Sequence, residues 1–331
     1  MNSFLFAINA VSPIIIMVAI GYVIKKLGLI TPDFAKLANK LVFRLFLPAM
    51  LFLNIYNIDN ITSISFGYVL YAVAALLIIF AIAVCAVVFF TKDGARRGAL
   101  LQNTFRSNFA LVGMPLSISL FGDAGGAAAS VLSAFSIPIF NALAVVSLSI
   151  FRKNGEKLKI RSIFMNIVKN PLIQAVLSGI FVLLIRQIFM NYNLDFRLSD
   201  ITPLFKALGY LSNVATPLAL IVLGAQFEFS AITALKKEII FGVITRNIIV
   251  PVLCLGVAYV FFRDAFSGAH FAAYVALFAT PVAVSSVPMA QEMDSDATLA
   301  GQLVVWTTLV SAVTIFVYTY LLSLLGIFPA G

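Results

Sequence analysis

Proline and glycine positions in the first half of the chain recur at matched places in the second. Pro13 and Gly21 in the first apolar segment reappear as Pro171 and Gly179 in the sixth, each 158 residues later. Pro48 in the second segment matches Pro217 in the seventh, 169 residues on. Pro115 in the fourth matches Pro288 in the ninth, 173 residues on. The slowly growing offset is what one repeat unit with small loop insertions would give. With five membrane segments per half, an odd number, the second copy enters the membrane from the opposite side. Inverted repeats with helices interrupted at corresponding places mark secondary transporters.

Composition fixes the class. Hydrophobic residues fill 62% of the 331 positions and charged ones only 11%, against roughly 25% charged in a soluble domain. Apolar runs recur at lengths near the ~20 residues that cross a bilayer core. The expectation is an all-α integral membrane protein with ten transmembrane helices as a 5+5 inverted repeat. The predicted spans are 4–24, 34–56, 66–90, 97–122, 126–150, 170–190, 203–226, 238–262, 270–292 and 297–326. They form a single membrane domain over 1–331, with repeat one at 1–150 and repeat two at 170–331. Met1 to Val11 has no basic n-region and no small-residue cleavage pattern, so it reads as part of the first membrane helix.

The net charge of +9 reads as topology. Alternate loops hold Lys25, Lys26, Lys92, Arg96, Arg97, the basic cluster of 151–169, Lys236 and Lys237; the other set holds Arg197 and Arg263. The positive-inside rule then makes 151–169 cytoplasmic and both termini extracytoplasmic. A patch for nucleic acid or acidic lipid is the other reading of 151–169, but a topology anchor is the ordinary one, and no nucleic-acid partner is expected. Cys85 and Cys254 lie inside apolar segments and offer neither a disulfide framework nor metal-ligand spacing. The one histidine, His270, falls at the outer end of the ninth span. With no nucleophile–base pair, metal site or phosphate loop, neither an enzyme nor a cofactor is expected.

The fourth span reads Arg106-Ser-Asn108-Phe-Ala-Leu-Val-Gly113-Met114-Pro115, and the ninth reads Thr280-Pro281-Val-Ala-Val-Ser285-Ser286-Val-Pro288. Proline breaks a helix interior, and Gly113 permits a sharp change of direction just before one. Second half-helices are predicted at 115–122 and from Pro288 to about Met293, with Gly122–Gly126 as a tight turn. Unwound backbone in a bilayer must be buried in protein or line a cavity. Two such breaks meeting from opposite sides aim two helix N-termini, with their N–H donors and positive dipole ends, at one spot. That geometry favours an anion. A lone proline that only kinks its helix is the ordinary alternative, and Pro13, Pro48, Pro138, Pro217 and Pro251 need be no more.

Arg44, Arg106 and Arg246 lie inside apolar spans. Arg106 is nine residues past Arg97 and Arg246 nine past Lys237, roughly 13 Å deep. Such a charge costs at least about 2.5–3.5 kcal/mol and needs a partner, yet every Asp and Glu maps to a loop or a helix end. Either a carboxylate substrate supplies the missing charge, or each arginine binds backbone carbonyls or snorkels. Arg44, beside Lys36 and Lys40, fits the second description better. Buried carboxylates of the kind used by sodium/proton antiporters are missing.

Phe105-Arg-Ser-Asn108-Phe-Ala-Leu-Val-Gly113-Met114-Pro115, Asn39-Lys-Leu-Val-Phe-Arg-Leu-Phe-Leu-Pro48, and Ala279-Thr-Pro281 through Pro288-Met-Ala resemble motifs of the auxin efflux carrier family. The resemblance spans essentially the whole chain, and the short central loop is similar to the bacterial malonate and malate permeases. It implies residence in the cytoplasmic (inner) membrane and an elevator-type carrier, often a homodimer. Helices 1, 2, 6 and 7 would be the scaffold; helices 3–5 and 8–10 would move. Asn108, Gly113 and Pro115 would lie at one crossing, and Ser285, Ser286 and Pro288 at the other. Ser285-Ser286 stands where other members vary, so substrate identity does not transfer.

The expected function is secondary transport of a small organic anion, a malonate- or malate-like mono- or dicarboxylate. The expected substrate-binding residues are Asn108, Arg106, Gly113, Met114, Pro115, Thr280, Ser285, Ser286, Pro288 and Arg246. The alternatives are a membrane receptor that binds without translocating and a passive channel, distinguished by ligand binding without flux and by non-saturating flux.

Overall fold

Proline and the caps set the helix boundaries. A computed structural model describes residues 2–57, 66–151, 169–192 and 197–328. The basic segment predicted to anchor topology therefore lies, between residues 152 and 168, outside the described residues. The rest is helical apart from turns and one isolated antiparallel bridge. α1 is Asn2–Lys26, and α2 joins Pro32–Leu41, a π turn Val42–Phe46 and Leu47–Tyr56. α3 is Phe66–Phe90 and α4 is Gly94–Phe105. α5 opens with the π turn Phe109–Gly113 and runs on from Met114 to the break at Phe121 and Gly122 (φ 57°), and α6 continues from there to Ile150. α7 is Pro171–Asn191 and α8 is Thr202–Gln226. α9 joins Lys236–Ile244, a π turn Thr245–Ile249 and Val250–Phe262. α10 is Gly268–Tyr274 extended by the π turn Val275–Ala279, α11 is Ser286–Glu292, and α12 is Ala297–Leu324. Thr31, Asp93, Asn170 and Asp296 cap α2, α4, α7 and α12 by accepting from backbone N–H groups, as short polar side chains do at helix starts.

Among the described residues six helices are long and apolar enough to cross a bilayer: Phe66–Phe90, Val131–Ile150, Pro171–Met190, Thr202–Gln226, Lys236–Phe262 and Ala297–Leu324. The chain is an all-α membrane protein. Large apolar side chains such as Phe89, Phe181, Val260 and Phe261 stand exposed on this surface, as a lipid-facing surface requires.

Each π turn ends two residues before a proline: Pro48, Pro115, Pro251 and Pro281. A proline cannot donate to the carbonyl four residues back, and a π turn absorbs the resulting misfit. The freed carbonyls find other donors. The Tyr318 hydroxyl donates to Asn247 O at 2.8 Å, four residues before Pro251. Arg246 Nη2 donates to Leu277 O at 3.1 Å, four residues before Pro281.

This chemistry moves one predicted break. The fourth span does not unwind at Gly113–Pro115. It unwinds at Arg106–Asn108, and helix resumes at Phe109. Pro115 is tolerated because the π turn before it already bonds five residues back, Met114 N to Phe109 O. Gly113 is needed for approach: a Cβ there would stand 2.7 Å from the Ala276 carbonyl oxygen. The ninth span breaks between Ala279 and Ser286, and α11 starts two residues before Pro288. The turn after α5 is confined to Phe121–Gly122, so Gly125 and Gly126 are helical.

Glycines also bring membrane helices close, where small residues let backbones touch. A Cβ on Gly21 of α1 would stand 2.1 Å from Ile221 O of α8, and one on Gly224 would stand 1.9 Å from Val18 O of α1. A Cβ on Gly179 of α7 would stand 3.2 Å from Phe52 O of α2. The sequence offsets relate the first and last of these contacts: Gly21 plus 158 is Gly179, and Phe52 plus 169 is Ile221. Gly224→Ala should cost about 1–3 kcal/mol, the usual penalty of overpacking. Thermal unfolding of the purified protein checks this, and an unchanged midpoint would mean that α1 and α8 are free to separate.

Candidate functional site

The two breaks meet. Ser107 and Val282 form the antiparallel bridge. Asn108 N donates to Pro281 O at 2.7 Å, and Ala283 N donates to Arg106 O at 3.2 Å. Backbone that a bilayer would leave unpaired is thus satisfied across the crossing. Arg106, Ser107 and Asn108 are all buried.

One face of the crossing lines a cavity of about 60 Å³. Arg106, Ser107, Asn108 and the first residues of α5, Phe109 and Ala110, form one wall; Ala283 to Ser285 form another. Leu47, Met50 and Leu51 of α2, Ile137, Phe140 and Asn141 of α6, and Thr216 and Ala219 of α8 close it. Room for a few waters or a small anion is available, well under the ~300–1,000 Å³ of a drug-sized pocket.

Donors dominate the polar lining. Arg106 donates through Nη2 to Asn141 Oδ1 at 2.9 Å and through Nη1 to Gln102 Oε1, with Met289 Sδ 3.1 Å from the same nitrogen. All three partners are neutral. Among the described residues no carboxylate lines the cavity or pairs with this guanidinium. The Asn108 amide nitrogen and the Ser107 hydroxyl are buried without a partner. The first N–H groups of a helix have no intrahelical acceptor, and those of α5 begin at this wall.

Arg246, also fully buried, sits elsewhere. Its Nε donates to Thr280 O at 2.9 Å, Nη1 to Thr104 O at 3.2 Å and Nη2 to Leu277 O at 3.1 Å. These carbonyls belong to the C-terminal ends of α4 and the π turn after α10, where the helix dipoles are negative. The guanidinium is a cationic cap on both first half-helices. Of the two fates foreseen for a buried arginine, carbonyl binding is the one found here.

The structure thus brings Arg106, Asn108 and Ser285 to one cavity. Gly113, Met114, Pro115, Thr280, Ser286, Pro288 and Arg246 lie outside its lining. Thr280 Oγ1 donates to Ala276 O at 2.8 Å, and the Ser286 hydroxyl donates to Ala283 O. Arg44 is exposed and pairs with Glu292, Nε to Oε2 3.6 Å. Sequence reasoning missed Gln102 and Asn141. Gln102 stands four residues before Arg106, one helical turn away. Asn141 is the sole amide side chain within 126–150, a signal that was there to use.

A charged cluster joins the starts of α4, α9 and α12. Arg96 contacts Glu238 at 2.6 Å, Asp296 at 3.7 Å and Asp93 at 3.9 Å, and its guanidinium is held charged first by the Glu238 hydrogen bond. Ser295 Oγ adds a 2.7 Å bond to Ala95 O.

Comparison with known proteins agrees with this architecture. The family described as membrane transport protein matches residues 6–319. An uncharacterized transporter of Methanothermobacter thermautotrophicus is 25% identical over 324 residues, covering 96% of this chain and 99% of the relative. An uncharacterized transporter of Methanocaldococcus jannaschii is 27% identical over 236 residues, covering 70% of this chain and 71% of the relative.

Proposed function

Because the chain belongs to the membrane transport protein family, and is therefore a transporter and not an enzyme, we propose that it is a secondary carrier for a small organic anion. The substrate class is a mono- or dicarboxylate of malonate or malate size. The observation that carries this is Arg106: a buried guanidinium that, among the described residues, is held by neutral groups, beside an unpartnered Asn108 amide nitrogen, in a cavity with no described acid in its lining. A carboxylate entering there would supply the absent charge and accept from Asn108, Ser107 and the start of α5. The cavity's size favours small anions over a bulky aromatic acid.

The carrier works by an elevator-type alternating access between two inverted repeats of five spans, 1–150 and 170–331. The related contacts of Gly21 with Ile221 and of Gly179 with Phe52 support that repeat. α1, α2, α7 and α8 form the scaffold. α3 to α6 and α9 to α12 form the moving unit, and the Arg96 cluster supports their moving together. The cavity lies between α2 and α8 on one side and the crossing on the other, where an elevator presents its cargo. The protein resides in a cytoplasmic (inner) membrane with both termini extracytoplasmic, as a homodimer joined through the scaffold.

Radiolabelled malonate, malate, succinate and lactate uptake into proteoliposomes tests this. Saturable uptake is expected. Asn108→Ala leaves the backbone bridge in place and removes one hydrogen bond to a charged ligand, worth about 1.5–3 kcal/mol. Uptake should fall roughly ten- to a hundredfold with unchanged yield of folded protein. Unchanged uptake would dismiss Asn108 from the site, and binding without flux would replace the carrier with a receptor.

A further inference from the structure

We propose that the carrier works as an exchanger: one small carboxylate leaves for each one that enters, and the empty site does not readily cross the membrane. The inference rests on the carrier reading above and on where the two buried arginines find their counter-charge.

Both guanidiniums travel with the moving unit of that reading. Arg246 is held by Thr104 O at the end of α4 and by Leu277 O and Thr280 O after α10. These carbonyls stand at negative helix ends, and α4 and α10 both belong to the moving unit. The Arg246 charge is therefore compensated wherever the unit stands. Arg106 differs. Among the described residues its partners are Gln102 of α4, Asn141 of α6 and Met289 of α11, all neutral and all on the moving unit.

The scaffold adds no counter-charge. Its side of the cavity is Leu47, Met50, Leu51, Thr216 and Ala219. The one hydroxyl among them, Thr216 Oγ1, lies 3.7 Å from Met50 Sδ. An empty site would draw a positive charge along this apolar wall, where a charge is costly. A carboxylate in the cavity cancels it. With a monocarboxylate bound, the site crosses as a neutral body; without one, it crosses as a cation. Net transport requires the empty unit to return, and exchange does not. On insertion scales the charge slows that empty step by about a hundredfold.

The test is uptake of radiolabelled lactate, and in parallel malonate, at saturating concentration into proteoliposomes, with the signal of protein-free vesicles subtracted. The vesicles hold either the same unlabelled anion or an impermeant zwitterionic buffer. Uptake beyond the first turnover should be about a hundredfold faster into the loaded vesicles. Lactate exchange at equal concentrations on both sides should not change when valinomycin and a potassium gradient impose a membrane potential, because the loaded site carries no net charge. R106K keeps the charge and should keep the dependence on internal anion, whereas the residual flux of R106Q should lose it. Equal uptake into loaded and empty vesicles would overturn exchange and leave the carrier standing. Lactate exchange that responds to voltage, or a dependence on internal anion that survives in R106Q, would overturn the role given to the Arg106 charge and the proposal with it. Flux into neither kind of vesicle would overturn the carrier reading itself, and exchange with it. The wild-type measurements decide the matter even where a variant fails to fold.

Discussion

Arg106→Gln should lower anion uptake about a hundredfold or more while leaving the unfolding midpoint of the empty protein close to wild type. Removing the charged partner of a desolvated ion costs about 2–5 kcal/mol or more, which sets the loss of flux. Stability should respond differently. A buried charge without an opposite charge is a burden on the folded state. Among the described residues the Arg106 guanidinium is partnered by Gln102, Asn141 and Met289, all neutral. A glutamine keeps an amide able to donate to Gln102 or Asn141 and sheds the charge. Uptake and unfolding should be measured on the same preparation. If the midpoint collapses along with uptake, Arg106 holds the fold and the anion site must be sought elsewhere.

The same substitution at Arg246 should have the opposite signature. Arg246→Gln strips donors from Thr104 O, Leu277 O and Thr280 O, all within the buried crossing. Each buried acceptor left unsatisfied costs about 1–3 kcal/mol, and a shorter neutral amide replaces at most one of the three bonds. Two acceptors left unsatisfied give a loss of about 2–6 kcal/mol on that scale, enough to deplete the folded protein. Uptake per cell should disappear because folded carrier is missing. Whatever fraction folds should still bind the anion, since Arg246 lies outside the cavity lining. A stable Arg246→Gln protein with impaired binding would reverse the roles of the two arginines.

The sequence made the all-α membrane class legible because that class rests on local composition. Prolines marked the interrupted spans for the same reason. The position of the first break was not legible. Pro115 is the strongest local breaker, but the π turn before it absorbs the misfit. The chain unwinds instead where Arg106 to Asn108 find backbone partners in Pro281 and Ala283, and no local pattern encodes a pairing that distant. The two deep arginines were equally opaque. Both sit about as far into their spans, and only packing decides that one meets helix-end carbonyls and the other a cavity. Glu292 was read as a helix-end acid, yet the short α11 carries it to Arg44. Gln102 and Asn141 were visible as amides in apolar runs and could have been found.

The antiparallel bridge also has a bearing on how the protein is made. Ser107 and Val282 lie 175 residues apart in the chain (282 − 107). At about 5–20 residues per second on the ribosome, the first strand waits roughly 10–35 s for the second. Through that interval Arg106, Ser107 and Asn108 have a charge and open peptide groups to shield, and hydrocarbon shields neither. The nascent fourth span must therefore linger at the insertion machinery or the lipid headgroups until the ninth emerges. Chains stalled between the two would carry a polar gap that no later segment closes, and such chains are natural prey for membrane proteases.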